Sequence, residues 1–87
     1  LNEGDIALLR AKIDTIDDNL LDVLAERMKV VEQIGEYKRA NKMQVFQQSR
    51  WEEVQSRVAK GARTRGLDAD AVGELFKIIH QASIERQ

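Results

Sequence analysis

The sequence predicts an all-α chain of three helices, one long and two shorter. Three observations carry this. There is no proline and there are only five glycines in 87 residues. Strong helix formers dominate. No stretch alternates apolar and polar residues with the period of two expected of a half-buried strand.

The first helix is expected from about Asp5 to about Asn41. Its apolar positions are Ile6, Leu9, Ile13, Ile16, Leu20, Val23, Leu24, Val30, Val31 and Ile34, and their steps of three and four make one stripe. At ~1.5 Å per residue such a helix spans roughly 55 Å. That overshoots the core so short a chain builds by itself, so it either kinks, with Gly35 the candidate point, or packs along a second copy of itself. The second is the favoured expectation. Residues 41–46 read as a connection. The second helix starts near Gln47 to Ser49, with Gln48 or Ser49 as its cap, and runs to about Arg65. Gly66 suits the position just past a helix end. Asp68 is a good N-cap for the third helix, which runs to about Arg86 with Val72, Leu75, Phe76 and Ile79 as its stripe.

The length fits one domain, residues 1–87. Small domains are marginal alone, and with no cysteine there is no disulfide or thiolate metal site to help. Oligomerisation is then the expected added source of stability. Fourteen Lys and Arg against fifteen Asp and Glu leave a net charge of −1, which argues against general nucleic-acid binding. No apolar run approaches the roughly 20 residues of a membrane span. No secretory signal is recognisable, and the expected location is cytoplasmic. The sequence opens Leu1-Asn2-Glu3-Gly4 without an initiator methionine, as in a processed product or a domain excised from a longer polypeptide. His80 is the single histidine, there is no ligand spacing for a metal, and there is no Gly-rich phosphate loop. No metal or cofactor is expected.

The informative residues interrupt the apolar stripes. On a helix turning about 100° per residue, Leu20 and Ile34 lie about 20° to either side of Arg27. Lys38 lies about 20° from Arg27 and roughly 16 Å further along. Two cations therefore point the way the apolar residues point. Burying an unpaired charge is costly, so each needs an anionic partner or water; snorkelling of either head to solvent is the structural alternative. Arg10 points about 100° away from Arg27 at some 25 Å along the helix. One small ligand cannot touch both within one chain. Ser83 and Gln87 each lie about 20° from Phe76, continuing the third stripe with polar groups. For Gln87, on position alone, a frayed last turn is the better explanation. Arg50 opens the second helix beside Trp51, where plain surface and packing roles are the alternatives. Together these are hydrogen-bond donors, with no base or nucleophile among them. Such a set suits a small, multiply anionic ligand and a reaction without proton transfer.

The run Leu9-Arg10-Ala11-Lys12-Ile13-Asp14-Thr15-Ile16-Asp17, then Leu20-Leu21 and Leu24-Ala25-Glu26-Arg27, resembles the start of the all-helical bacterial chorismate mutases. Ile34-Gly35-Glu36-Tyr37-Lys38, Val45-Phe46 before Arg50, Gly66-Leu67-Asp68, and Leu75-Phe76 through Ile78-Ile79 to Ser83 and Gln87 continue the pattern over nearly the whole chain. The resemblance implies an intertwined homodimer with two equivalent sites, each completed by Arg10 of the partner chain. It implies that Arg10 and Arg27 bind substrate carboxylate, that Arg50 and Ser83 face a carboxylate, and that Lys38 and Gln87 face the ether oxygen. Two positions depart from the family pattern. Gln47 stands where an aspartate often sits and Trp51 where a glutamate often sits, both near the substrate hydroxyl. The stretch from Phe46 to Glu53 is also similar to mutase domains fused to the 3-deoxy-heptulosonate-phosphate synthase that opens the shikimate pathway.

The resemblance implies rearrangement of chorismate to prephenate in phenylalanine and tyrosine biosynthesis. An isochorismate pyruvate lyase, with similar helices and charges, is the nearest alternative. A non-catalytic helical dimerisation or regulatory module is another, but it leaves Arg27 and Lys38 in their stripe unexplained.

Overall fold

The computed structural model describes all 87 residues, Leu1–Gln87. Its helices are α1 (Glu3–Ala40), α2 (Gln48–Thr64) and α3 (Ala69–Arg86), with no strands. The three expected helices are present, and each boundary has a local cause.

Helix α1 begins two residues earlier than expected because Asn2 and Asp5 cap it reciprocally. The Asp5 N–H donates to Asn2 Oδ1 and the Asn2 N–H to Asp5 Oδ2, both at 3.0 Å. Its far end closes with paired backbone bonds. The Met43 N–H reaches the Lys38 carbonyl at 2.8 Å and the Lys42 N–H reaches that of Arg39 at 3.3 Å. This is a Schellman motif, and Lys42 takes its left-handed position at φ 54° where glycine is usual. Helix α2 ends in the same motif, with Leu67 N–H to Ala62 O at 2.9 Å, Gly66 N–H to Arg63 O at 3.2 Å, and Gly66 at φ 69°. At the start of α2 the cap is Gln47 rather than Gln48 or Ser49, and its side chain makes no capping bond. Asp68 caps α3 as expected, its carboxylate accepting from the Asp70 N–H at 2.9 Å and the Ala71 N–H at 3.2 Å. Asp68→Ala is expected to lower the unfolding free energy by about 1 kcal/mol, the usual value of an N-cap. In a domain this size that moves Tm down by about 4–8 °C. An unchanged urea midpoint would show that the cap adds nothing here.

Contacts divide the chain into two units, Leu1–Val30 and Val31–Gln87. The first is the N-terminal stretch of α1. Its apolar stripe lies open: Leu9, Ile13, Ile16, Leu20 and Val23 are all between 44% and 60% exposed. In the second unit α2 packs on α3. Val31, Gly35, Ala62, Ile79 and Ser83 are its buried residues. Leu75, expected on the buried stripe of α3, is 52% exposed. No large side chain is fully buried anywhere in the chain. Helix α1 stays helical through Gly35, so the glycine is no break point. It serves close approach instead: a Cβ there would stand 3.0 Å from Gln87 Cα. No helix is long and apolar enough to cross a membrane.

Candidate active site

The end of α1 and the end of α3 bring two of the candidate residues into direct contact. Lys38 Nζ donates to Gln87 Oε1 at 2.7 Å and to the Val45 carbonyl at 2.5 Å. The Schellman turn at Lys42 makes the second bond possible by reversing the chain after α1. Lysine only donates, so the amide oxygen of Gln87 must face it. The other end of the amide agrees, since Nε2 donates to the Ser83 carbonyl at 3.3 Å. Two independent partners thus select one amide orientation. An ammonium has three N–H groups and an amide nitrogen two. With these bonds made, one N–H on each side chain is left for a ligand. Both residues are half-buried, and both bonds of Lys38 go to neutral oxygens.

The last turn of α3 is closed by its own hydrogen bonds. Ser83 is 4% exposed. Its hydroxyl donates to the Ile79 carbonyl at 2.7 Å, one turn back. The Gln87 N–H still reaches Ser83 O at 3.2 Å.

The remaining candidates are each set in their own element. Arg50 is exposed and bridges to Glu53 on its own helix at 3.4 Å. Gln47 is half-buried and supplies the extended residue that precedes α2. Trp51 lies flat on His80, ring centroids 4.1 Å apart and planes at 16°. Phe46 meets the same imidazole edge-on at 5.9 Å. His80, set aside in the sequence as a poor metal candidate, is a packing partner. Trp51 also lines a groove of about 420 Å³ between α2 and α3, with Gln55, Val58, Ala59 and Phe76. Lys38 and Gln87 do not line it. In the N-terminal unit Arg10 is exposed and Arg27 half-buried. No cluster of three or more His, Cys, Asp or Glu side chains is placed to hold a metal ion.

Sequence reasoning missed the roles of four residues around Gln87. Arg39 Nη1 donates to the Gln87 main-chain oxygen at 2.6 Å. Glu32 and Arg86 form an ion pair at 2.6 Å. Gly35 leaves the gap that Gln87 fills. Only Gly35 carried a signal, because a glycine inside a helix often marks close backbone approach.

The family model for chorismate mutase type II matches residues 9–87. The chain belongs to that family. Among its relatives, a 4-amino-4-deoxychorismate mutase of Streptomyces pristinaespiralis is 34% identical over 71 residues. These cover 82% of this chain and 55% of that protein. A protein of the same name from Streptomyces venezuelae is 30% identical over 88% of this chain and 75% of its own length. The bifunctional chorismate mutase/prephenate dehydratase of Escherichia coli is 29% identical over 99% of this chain, which spans only 22% of it. The chain thus spans from about a fifth to three quarters of the length of these relatives. Family membership makes an isomerase the activity class.

Proposed function

We propose that this chorismate mutase domain rearranges chorismate to prephenate, in a homodimer whose sites each draw on both chains. The observation that carries the reading is the hydrogen bond between Lys38 and Gln87 at 2.7 Å. The rearrangement breaks a C–O bond and forms a C–C bond while negative charge grows on the ether oxygen. No proton moves and no covalent intermediate forms. What the reaction needs is a folded substrate and donors at the ether oxygen. Lys38 and Gln87 each keep an N–H for that oxygen, held before the substrate arrives. Preorganised donors of this kind are worth on the order of 10²–10³ in rate each.

Arg10, Arg27, Arg50 and Ser83 hold the two carboxylates in this reading, following the family pattern. Their task is entropic, restricting a flexible dianion to the compact conformer that reacts. Arg50 gives up only an exposed ion pair with Glu53 to do so, an interaction worth little in water. The partner for Arg10 is a second copy. The open apolar stripe of α1 supports this, since fully burying a Leu or Ile contributes about 1.5–3 kcal/mol, of which the single chain leaves roughly half unused.

A second reading is favoured by the names of the two Streptomyces relatives: the substrate is 4-amino-4-deoxychorismate. Gln47 and Trp51 bear on the choice. Neither supplies a carboxylate for an ammonium, and the amide of Gln47 both donates to and accepts from a hydroxyl. That chemistry favours the hydroxyl of chorismate. Offering chorismate, its 4-amino analogue and isochorismate separately decides among the readings. Prephenate from chorismate at the highest kcat/KM supports the first, and faster turnover of the amino compound supports the second. Salicylate with pyruvate from isochorismate would mark a lyase, and no turnover of any of the three would end the enzymatic reading.

The shared site has its own test. Arg10→Ala and Arg27→Ala homodimers should both be inactive. Mixed and re-equilibrated, their heterodimers should regain one intact site, up to about a quarter of wild-type activity in a statistical mixture. No recovery despite demonstrated heterodimers would refute sharing.

A further inference from the structure

The last turn of α3 is tied down more heavily than a helix end requires. Helix termini commonly fray, and their final carbonyls are usually left to water. Here three side-chain bonds joining positions 48 to 54 residues apart all end at Arg86 or Gln87. Glu32 takes Arg86 at 2.6 Å. Arg39 donates to the main-chain oxygen of Gln87 at 2.6 Å, and Lys38 to its side-chain oxygen at 2.7 Å. The turn also lies against the bare backbone of Gly35, where any Cβ would press on Gln87 Cα at 3.0 Å and on its main-chain oxygen at 3.2 Å.

These ties differ in kind. The Glu32–Arg86 pair is about half exposed, so it contributes little to stability. Arg39 is exposed too, and a cation at a helix C-terminus is mildly favourable in any case. Their geometric consequence is larger than their energy. Arg39 grips the main chain of the one residue whose side chain Lys38 grips. With both ends of Gln87 held by adjacent residues of α1, the amide has no freedom to swing off the Lys38 ammonium. A guanidinium suits this role because its planar fork reaches far and holds its donors in fixed directions.

We propose that Arg39 is a positioning residue for the reaction, holding the Gln87 main chain so that the Gln87 amide meets the ether oxygen beside Lys38. This rests on the chorismate mutase reading above. Arg39 touches no substrate atom; it acts through Gln87. The Glu32–Arg86 pair and the gap at Gly35 set the same turn from its other sides.

The test is a double-mutant cycle read in kcat and KM, with chorismate as substrate. Arg39→Ala should lower kcat about tenfold with KM within about twofold, because displacement of a catalytic group by a fraction of an ångström is felt in the chemical step. Arg39→Lys, which keeps the charge and a donor on a shorter stem, should recover part of that loss. In a Gln87→Ala background, Arg39→Ala should change kcat by less than about twofold, since nothing is left to position. A tenfold loss that persists in that background overturns the proposal, as does a kcat unchanged by Arg39→Ala alone. A loss confined to KM also overturns it, because that marks a cation that merely attracts the substrate. The side-chain amide resonances of Gln87 supply a readout that needs no turnover. In the unliganded protein they should be dispersed, and in Arg39→Ala they should collapse towards the position of a free glutamine. Dispersed resonances in Arg39→Ala would refute the positioning role. If the protein turns over none of the candidate substrates, yet those resonances collapse, the functional reading fails while the grip on Gln87 stands.

Discussion

Arg27→Ala is expected to lower kcat/KM by about 30-fold to several thousand-fold, with a much smaller change in unfolding free energy. The activity estimate follows from its assigned task. Truncating one member of a buried, hydrogen-bonded charge pair costs about 2–5 kcal/mol, and each 1.4 kcal/mol is tenfold. The stability estimate follows from its place. Arg27 is half-buried on α1, with Val23 and Val30 nearby and substantially exposed. Replacing it with alanine raises helix propensity slightly and opens no closed cavity. Parallel urea melts and steady-state kinetics separate the two effects. A loss of several kcal/mol in the unliganded protein would assign Arg27 to a structural ion pair instead. A loss carried by KM at constant kcat would assign it to uniform binding, and a loss in kcat to holding the reactive conformer.

Helix existence and most boundaries were legible because their causes are local. Asp68 and Gly66 act through their own side chain or its lack, so single residues reveal them. Lys42 does the same job as Gly66 at the end of α1, yet a lysine carries no sign that it will adopt a left-handed conformation. The Asn2–Asp5 box is legible in principle, since a carboxylate three residues after an asparagine can close the cap reciprocally and move the helix start ahead of Asp5. The exposed stripe of α1 was legible as a stripe, and its lack of cover within one chain is the counterpart of the excess length read from the sequence.

The candidate site divides in the same way. Lys38 and Gln87 were singled out because each is polar at an inward position, and both are at the same contact. Arg39 was invisible because a basic residue in the last turn of a helix is ordinary. Its meaning depends on α3 ending beside it, a fact of tertiary structure. Trp51 and His80 were read separately, one as a candidate ligand contact and one as an unlikely metal ligand. Their stacking on each other is a cross-helix pairing that no spacing within either helix encodes. For Gln87, fraying of a polar C-terminal turn is the better reading on pattern alone, and the bonds from Lys38 and Arg39 argue against it.

Gln87→Glu should turn a pH-independent donor into a titrating one. An amide donates at any ordinary pH, while a carboxyl donates only when protonated. At low pH the variant should therefore approach wild-type activity, and above the transition it should fall by about 10²–10³, the worth of one donor to a developing oxyanion. The direction follows from the charge: an ionised carboxylate beside the ether oxygen repels the negative charge that grows there. Where the transition falls depends on the neighbours. In the free protein Lys38, 2.7 Å from the present amide oxygen, favours ionisation, while partial burial opposes it. In the complex the substrate brings two carboxylates and an ether oxygen, and Lys38 shares its charge with them. The transition in kcat, which reports the complex, should lie above the ~4.3 of a free glutamate. The transition in kcat/KM, which reports the free enzyme, should lie at lower pH than that in kcat. Both profiles, taken as ratios of variant to wild type from pH 4 to 9, cancel any titration of the substrate or of other groups. A ratio that stays flat would mean that the side chain at this position does not reach the reacting oxygen. Its contact with Lys38 would then serve only to close the end of α3 on α1.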